Sequence, residues 1–323
     1  MKKVTLGIDV GGTNIAFGIV DREGNVLSKS TIATPQCNDA VQYTKLISNE
    51  IQTIINKADD CEICGIGIGA PNGNYYKGTI EHAANLTIKG IVPFIQLLKE
   101  QLNCTYNISL TNDANAAAMG EMIYGGARGM RNFVMYTLGT GVGSGIIVNG
   151  DLVYGADGFA GECGHTMLVP GGRTCGCGIN GHLESYCSAG GMKRTAFELL
   201  AYYNANDSLL AQKSFATLTA KDICEAALQG DKVALEVFER TGDYLARGIA
   251  DTIHHLSPEA VFIFGGPTAA GELLFAPIRN NLEKYLLPVF KGKARILPSQ
   301  LKLGDAAIVG ASALAWKELE KNQ

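Results

Sequence analysis

Apolar residues fall along the chain in short continuous runs, interrupted by glycine turns and followed by helical-period stretches. Val4 to Val10 reads as a buried strand broken by Gly11-Gly12, and Ile15 to Val20 reads as a second. The turn Asp21-Arg22-Glu23-Gly24-Asn25 leads to a third strand from Val26, which completes a meander. A helix is predicted over Ala40 to Asn56, where Val41, Ile47, Ile51, Ile54 and Ile55 recur at near-helical spacing. Gly65-Ile66-Gly67-Ile68-Gly69 predicts a strand whose small residues lie against a neighbouring backbone. A helix near Pro93 to Gln101 and a strand near Ile108 to Thr111 follow.

The opening pattern then recurs. Asn132 to Leu138 is a strand stopped by Gly139-Thr140-Gly141-Val142-Gly143, and Ile146 to Val148 is the next. Asn149-Gly150-Asp151 is a tight turn before Leu152-Val153-Tyr154. One glycine-turn hairpin at two chain positions implies two similar lobes. From about Ala189 the chain reads as mostly helical, through the long segment Asp231 to His254. A short strand over Val261 to Phe264 ends at Gly265-Gly266, and a last helix over Asp305 to Lys321 is expected to pack back on the first lobe. No low-complexity linker interrupts this order.

Composition narrows the class. The length of 323 residues favours two domains at roughly 150 residues each. With 46% hydrophobic and 18% charged residues the chain can bury a core, which excludes disorder as its main character. The net charge of -4 gives no global basic footprint, so neither nucleic acid nor an anionic membrane is an expected partner. Glycine is in excess, 40 residues against a usual share of about 7%. Apolar runs are too short for a membrane-spanning helix. Asp9 and Gly11-Gly12 interrupt the amino-terminal apolar stretch too early for a secretory signal. Nine cysteines, an odd number, do not resemble a disulfide framework, and a cytoplasmic location is expected.

Three glycine turns carry candidate ligand chemistry. Asp9-Val10-Gly11-Gly12-Thr13-Asn14 puts bare amides and a hydroxyl beside a carboxylate at a strand end. Amides and hydroxyl suit phosphate oxygens, and Asp9 suits Mg²⁺, directly or through water. Gly139-Thr140-Gly141-Val142-Gly143 offers the same amide and hydroxyl chemistry. Gly265-Gly266-Pro267 follows a buried strand and leaves room for a nucleotide base against the backbone. The P-loop pattern is absent, because no turn ends in lysine followed by serine or threonine. The Rossmann pattern is absent too, because strands rather than helices follow the first two turns. Two phosphate-binding hairpins in two lobes imply ATP bound in a cleft.

Asp113 stands where a strand passes into the alanine-rich segment Ala114-Asn115-Ala116-Ala117-Ala118. An acid or amide there is an ordinary helix N-cap. It also suits a base that takes the proton of a substrate hydroxyl attacking a γ-phosphate, and both readings can hold together.

His165, Cys175, Cys177 and His182 present four metal-type ligands within 18 residues, among glycines that let the backbone fold around an ion. Two thiolates and two imidazoles suit tetrahedral Zn²⁺ in a closed, structural site. Glu162 and Glu184 bracket the cluster as polar groups for a polyhydroxylated ligand rather than as zinc ligands. Cys61 and Cys64 have half a zinc spacing but lead into a strand without partners. Cys37, Cys104, Cys163, Cys187 and Cys224 form no pattern, and His254-His255 reads as a helix-end feature.

This constellation resembles the ROK family of repressors, open reading frames and sugar kinases. The resemblance rests on Asp9 to Asn14, Asn112-Asp113-Ala114-Asn115, Leu138 to Gly143, Gly161 to His165, Cys175 through Glu184, and Gly265-Gly266. It implies an actin-like, ribonuclease H-like α/β fold of two lobes, with ATP and sugar in the cleft. The smaller lobe is expected over 1–115 plus about 305–323, and the larger over 116–304 with the zinc loop. By the resemblance Asp113 is the base on a hexose hydroxyl, usually the 6-hydroxyl. Asn85, Asn112, Glu162, His165 and Glu184 match sugar-contacting positions; Gly11, Gly12, Thr13, Thr140 and Gly141 match phosphate turns; and Gly265 and Gly266 match the adenosine side. The family's zinc set is typically one histidine and three cysteines, so His182 replaces a cysteine and a His₂Cys₂ shell is expected. An ATP- and Mg²⁺-dependent hexokinase acting on glucose is the implied function, with N-acetylhexosamine, mannose or fructose as rival substrates, and the family suggests a homodimer. The repressor branch carries a DNA-binding motif ahead of the kinase-like part, whereas here the first strand begins at residue 4. An actin-like filament role would leave the zinc cluster and paired glutamates without purpose.

Overall fold

The computed structural model describes residues 1–58, 60–103 and 106–321. Cys104 therefore lies outside the described residues. The chain divides into two compact units: Met1–Met130 with Leu152–Ala160 and Gln300–Gln323, and Arg131–Asp151 with Gly161–Ser299. The break after Met130 comes later than the expected residue 115, because the helix that begins at Asp113 packs on the C-terminal helix within the first unit.

The first unit opens with the expected meander: β1 (Lys2–Val10), β2 (Asn14–Asp21) and β3 (Val26–Ala33), followed by α1 (Ala40–Asn56) and β4 (Cys61–Gly69). Three short strands, β5 (Gly73–Asn74), β6 (Thr79–Glu81) and β7 (Ile91–Val92), form a separate small sheet. Helix α2 (Phe94–Leu102), β8 (Asn107–Thr111) and α3 (Asp113–Tyr124) follow. The main sheet runs β3-β2-β1-β4-β8, antiparallel through the meander and parallel from β1 to β8. Helix α1 buries Tyr43, Ile47, Ile51 and Ile54; of the stripe read from the sequence, Val41 is exposed and Ile55 only partly buried, because the inward register starts at Tyr43, and Asp39 caps the helix by accepting from Gln42 N–H at 2.7 Å. On the other face lies the C-terminal helix (Ala306–Lys321). Its approach depends on missing side chains: a methyl group on Gly7 would sit 2.0 Å from the Ile308 carbonyl oxygen, and one on Gly67 1.8 Å from that of Ala311. The small-residue pattern of β4 has that close approach as its cause.

The second unit repeats the topology. Strands β9 (Phe133–Leu138), β10 (Val142–Val148) and β11 (Asp151–Leu152) are followed by α4 (Glu184–Cys187), α5 (Ala189–Tyr203), α6 (Ala220–Leu228) and α7 (Lys232–Leu256). Then come β12 (Ala260–Gly265), α8 (Glu272–Tyr285) and β13 (Arg295–Pro298). Sheet order is β11-β10-β9-β12-β13, with β9, β12 and β13 parallel, so each sheet is a meander extended by two parallel strands. Strand β10 starts at Val142 rather than near Ile146, because Gly143 and Gly145 pair with Thr137 and Met135 in the β9 ladder and leave a tighter turn. Helix α7 covers this sheet with Val237, Phe238, Leu245, Ile249 and Ile253 buried, and the Tyr136 hydroxyl meets Thr252 Oγ1 at 2.7 Å. Full burial of such side chains contributes roughly 1.5–3 kcal/mol each.

Candidate active site

In the first unit the site begins where three parallel strands stop. Asp9 on β1 pairs in register with Gly69 on β4, and Gly69 pairs with Thr111 on β8. Asp9, Gly69 and Thr111 thus share one level at the carboxyl ends of the strands, where α/β sheets bind ligands. A methyl group on Gly69 would lie 3.6 Å from the Asp113 Cα and 4.0 Å from Asp9 Oδ1, so this glycine separates the two carboxylate-bearing positions. Burial, followed by the charge of Asp113, raises the Asp9 carboxyl to about 6. A divalent cation offsets both causes, which is the observation that makes Asp9 a fitting Mg²⁺ position.

The helix cap falls to Asn112 rather than Asp113: the Asn112 side chain accepts from Ala114 N–H at 2.8 Å. Asp113 is the first residue of α3, is exposed, and also accepts from Ala114 N–H at 2.8 Å. Its carboxylate lies in the favourable field of the helix N-terminus. The turn between β1 and β2 is closed by Gly11 N–H donating to Asn14 at 3.0 Å, and Thr34 clamps it from β3's end by donating to Gly11 at 2.6 Å. Gly12 packs on Asn85, where an added methyl group would meet the Asn85 carbonyl oxygen at 2.8 Å. The first unit therefore brings together Asp9, Gly11, Gly12, Thr13, Asn85, Asn112 and Asp113.

The second unit repeats the strand-end arrangement. Leu138 on β9 pairs with Gly265 on β12, so the Gly139–Gly141 turn and Gly265-Gly266 leave the sheet side by side. Gly265 has a φ of 119°, and a methyl group there would lie 1.9 Å from the Leu138 carbonyl oxygen, so only glycine fits. Gly266 has open space beside it. Thr140 is exposed at the tip of its turn. Glu184, at the start of α4, reaches the same turn: Val142 N–H donates to it at 3.0 Å, and its carboxylate packs against Gly141.

His165, Cys175, Cys177 and His182 come together with their ligand atoms all within 4.8 Å of one another. Cys177 Sγ lies 3.2 Å from His182 Nδ1, and Cys175 donates to Glu184 at 3.2 Å. Burial, reinforced by Glu184, pushes the Cys175 thiol up to about 12. The donor set and its span fit tetrahedral Zn²⁺. His165 Nδ1 contacts Glu162 at 3.1 Å, an arrangement that leaves the other ring nitrogen for a metal. That contact with Glu162 is the first cause raising the His165 pKa above its ordinary value.

Three supporting residues escaped the sequence reading. Arg173 ties the loop to the helical layer, with its guanidinium bonded to Glu198, Thr195 at 3.0 Å and the Gly191 carbonyl at 3.2 Å. Ser144 donates to the Gly161 carbonyl and accepts from Cys163 N–H at 3.0 Å, bracing the Glu162 backbone. Tyr186 accepts from Arg173 N–H at 2.9 Å. Only tertiary contacts mark these residues. Cys61 and Cys64 lie on β4, and among the described residues neither belongs to a cluster of metal-type ligands.

Comparison with known proteins gives a consistent result. A glucokinase from Thermotoga maritima is 35% identical over 96% of this chain and 96% of its own length. An N-acetylmannosamine kinase from Escherichia fergusonii is 29% identical over 97% of this chain and 99% of its own. The crystal structure of a ROK family glucokinase from Streptomyces griseus in complex with glucose and AMPPNP superposes with a TM-score of 0.81 at 34% identity, covering 97% of this chain and 99% of that one. These likenesses establish the actin-like ATPase fold that the family resemblance implies, in accord with the duplicated meander. With the ROK family model matching residues 5–318, the chain belongs to the ROK family.

Proposed function

We propose that this chain is an ATP-dependent hexose kinase that converts glucose to glucose 6-phosphate. The observation that carries the reading is the carboxylate pair at the strand ends of the first unit, where burial, followed by the charge of the exposed Asp113, raises the pKa of the half-buried Asp9. One carboxylate suits a proton acceptor and the other a cation position, the division of labour that phosphoryl transfer needs. The relatives described above, a glucokinase at 35% identity among them, point to the same chemistry.

Asp113 takes the proton of the sugar 6-hydroxyl as that oxygen attacks the γ-phosphorus. The new O–P bond forms in line as the bond to the β,γ-bridging oxygen breaks and ADP departs. Gly11, Gly12 and Thr13, with Thr140 and Gly141, hold phosphate oxygens by backbone N–H and hydroxyl donors. Mg²⁺, when bound, neutralises charge on the phosphates, and Asp9 holds it directly or through water. Gly265 and Gly266 accept the adenosine. Asn85, Asn112, Glu162, His165 and Glu184 contact the sugar hydroxyls. His165, Cys175, Cys177 and His182 hold a structural Zn²⁺ that fixes the loop carrying Glu184. The family resemblance extends the reading to a cytoplasmic homodimer; among the described residues no helix is long and apolar enough to cross a membrane.

The test is ADP release from ATP and Mg²⁺ with glucose, N-acetylglucosamine, N-acetylmannosamine, mannose and fructose. Glucose should give the highest kcat/KM. A higher value for an acetamido sugar would move the substrate assignment, and silence with every sugar would remove the kinase reading.

A further inference from the structure

Leu152–Ala160 belongs to the first unit, although the chain on both sides of it, up to Asp151 and from Gly161, belongs to the second. This nine-residue excursion ends immediately before Gly161-Glu162. Several contacts hold it. The Tyr154 ring stacks on Tyr75 with centroids 4.0 Å apart and planes 6° apart. Tyr75 is fixed in turn by its hydroxyl, which donates to Glu318 of the C-terminal helix at 2.8 Å. The next contacts come from the residues beside Tyr75. The fully buried Asn74 donates to the Asp157 carbonyl at 2.7 Å, and Tyr76 donates to that of Gly155 at 2.9 Å.

The loop is also closed on itself. Ala160 N–H donates to the Tyr154 carbonyl at 3.1 Å, so the point where the chain leaves the loop is pinned to the residue that anchors it. Tyr154 is only 9% exposed, so its ring is committed to the stack rather than offered to solvent. A nine-residue surface loop held only by backbone turns samples many conformations; a stacked, buried aromatic removes most of that freedom.

We propose that Tyr154 is a positioning residue for Glu162: by fastening the Leu152–Ala160 loop to Tyr75, it fixes where the chain enters Gly161-Glu162. Ser144 braces the same turn from within the second unit. Glu162 in turn orients His165 through the 3.1 Å contact. The inference rests on the kinase reading for its sugar consequence, because Glu162 is there a sugar contact. It does not rest on that reading for the anchor itself.

Variants of the stacked pair and two readouts separate these parts. Tyr154→Phe keeps the ring on Tyr75 and serves as the conservative control, whereas Tyr154→Ala removes the stack. Amide hydrogen exchange in a peptide covering Gly161–His165 should be faster in Tyr154→Ala, whether or not the protein turns over any sugar. In the sugar-dependent ADP assay, Tyr154→Ala should raise glucose KM by about tenfold or more, and Tyr154→Phe, which keeps the stack, should stay within about twofold of the parent, with ATP KM and zinc content unchanged. Unchanged exchange in Tyr154→Ala would overturn the anchor. Accelerated exchange with glucose KM within twofold of the parent, or with glucose and ATP KM raised by the same factor, would overturn the positioning role. A parent protein that is silent with every sugar would instead count against the kinase reading, and the exchange result would still decide the anchor. If Tyr154→Ala does not fold, Tyr75→Leu, which removes the stacking partner instead, decides: normal exchange and normal glucose KM together overturn the proposal.

Discussion

The strand-end turns of the two units begin from the same sheet order and acquire their carboxylates by different routes. In the first, Asp9 is part of the strand itself and Asp113 follows two residues after Thr111, so the acids arrive with the sheet. In the second, the turn contributes no acid of its own; Glu184 reaches it from α4, beyond the histidine and cysteine loop, and accepts from Val142 N–H at 3.0 Å. Chemistry built on strands inherits the rigidity of the ladder. Chemistry delivered by a loop is only as well placed as whatever braces the loop, here Arg173 and the four-ligand cluster. The first unit should therefore tolerate metal loss while the second should not.

The largest expected effect lies in the first unit. Asp113→Asn should lower kcat by about 10²–10⁴ while glucose affinity, measured by calorimetry, stays within a few-fold. Near-normal turnover would remove Asp113 as the base. Next comes the brace in the second unit. Cys175→Ser should lose zinc by elemental analysis and raise glucose KM by about tenfold or more, since Glu184 and His165 both depend on that loop. Retained zinc with an unaltered KM would show that the two units do not differ in this way.

A smaller effect separates the Asp9 carboxylate by pH. Its folded pKa, about 6, lies above the ordinary carboxylate value of 3.8, so the folded state binds the extra proton between those values. Stability associated with Asp9 is then present below about pH 4 and is lost as pH rises through about 6. Asp9→Asn should stabilise the ligand-free protein at pH 7.5 by up to about 2–3 kcal/mol and have little effect at pH 4. Equal urea midpoints for parent and variant at pH 7.5 would contradict this. The smallest effect compares two glycines. Gly12→Ala drives a methyl group against the Asn85 backbone carbonyl at 2.8 Å, whereas Gly141→Ala meets only the mobile end of Glu184 at 2.4 Å. Gly12→Ala should lower Tm more, with an overpacking cost of about 1–3 kcal/mol, and Gly141→Ala should mainly disturb the Glu184 contact. The reverse order of Tm would break the contrast.

Legibility in the sequence follows the same division. The meander, α1 over Ala40–Asn56 and the glycine pattern of β4 were readable because continuous apolar runs and small residues report local demands. The metal cluster was readable because its four ligands lie close together in sequence. Strand β10 was read too short because Gly143 and Gly145 look like turn residues until β9 pairs with them. Strands β5, β6 and β7 are too short to leave a periodic signal. The cap was shared between Asn112 and Asp113 in sequence, and only the backbone assigns it to Asn112. The approach of Glu184 to Val142, the role of Arg173 and the stacking of Tyr154 on Tyr75 join residues distant in sequence, and nothing at either position announces its partner.

The most direct test of the account is to identify the product formed from ATP, Mg²⁺ and isotopically labelled glucose by phosphorus and carbon NMR. The account predicts glucose 6-phosphate in a one-to-one ratio with ADP, absent in Asp113→Asn over the same interval. ADP accompanied by free inorganic phosphate, or a phosphate on another hydroxyl, would contradict it.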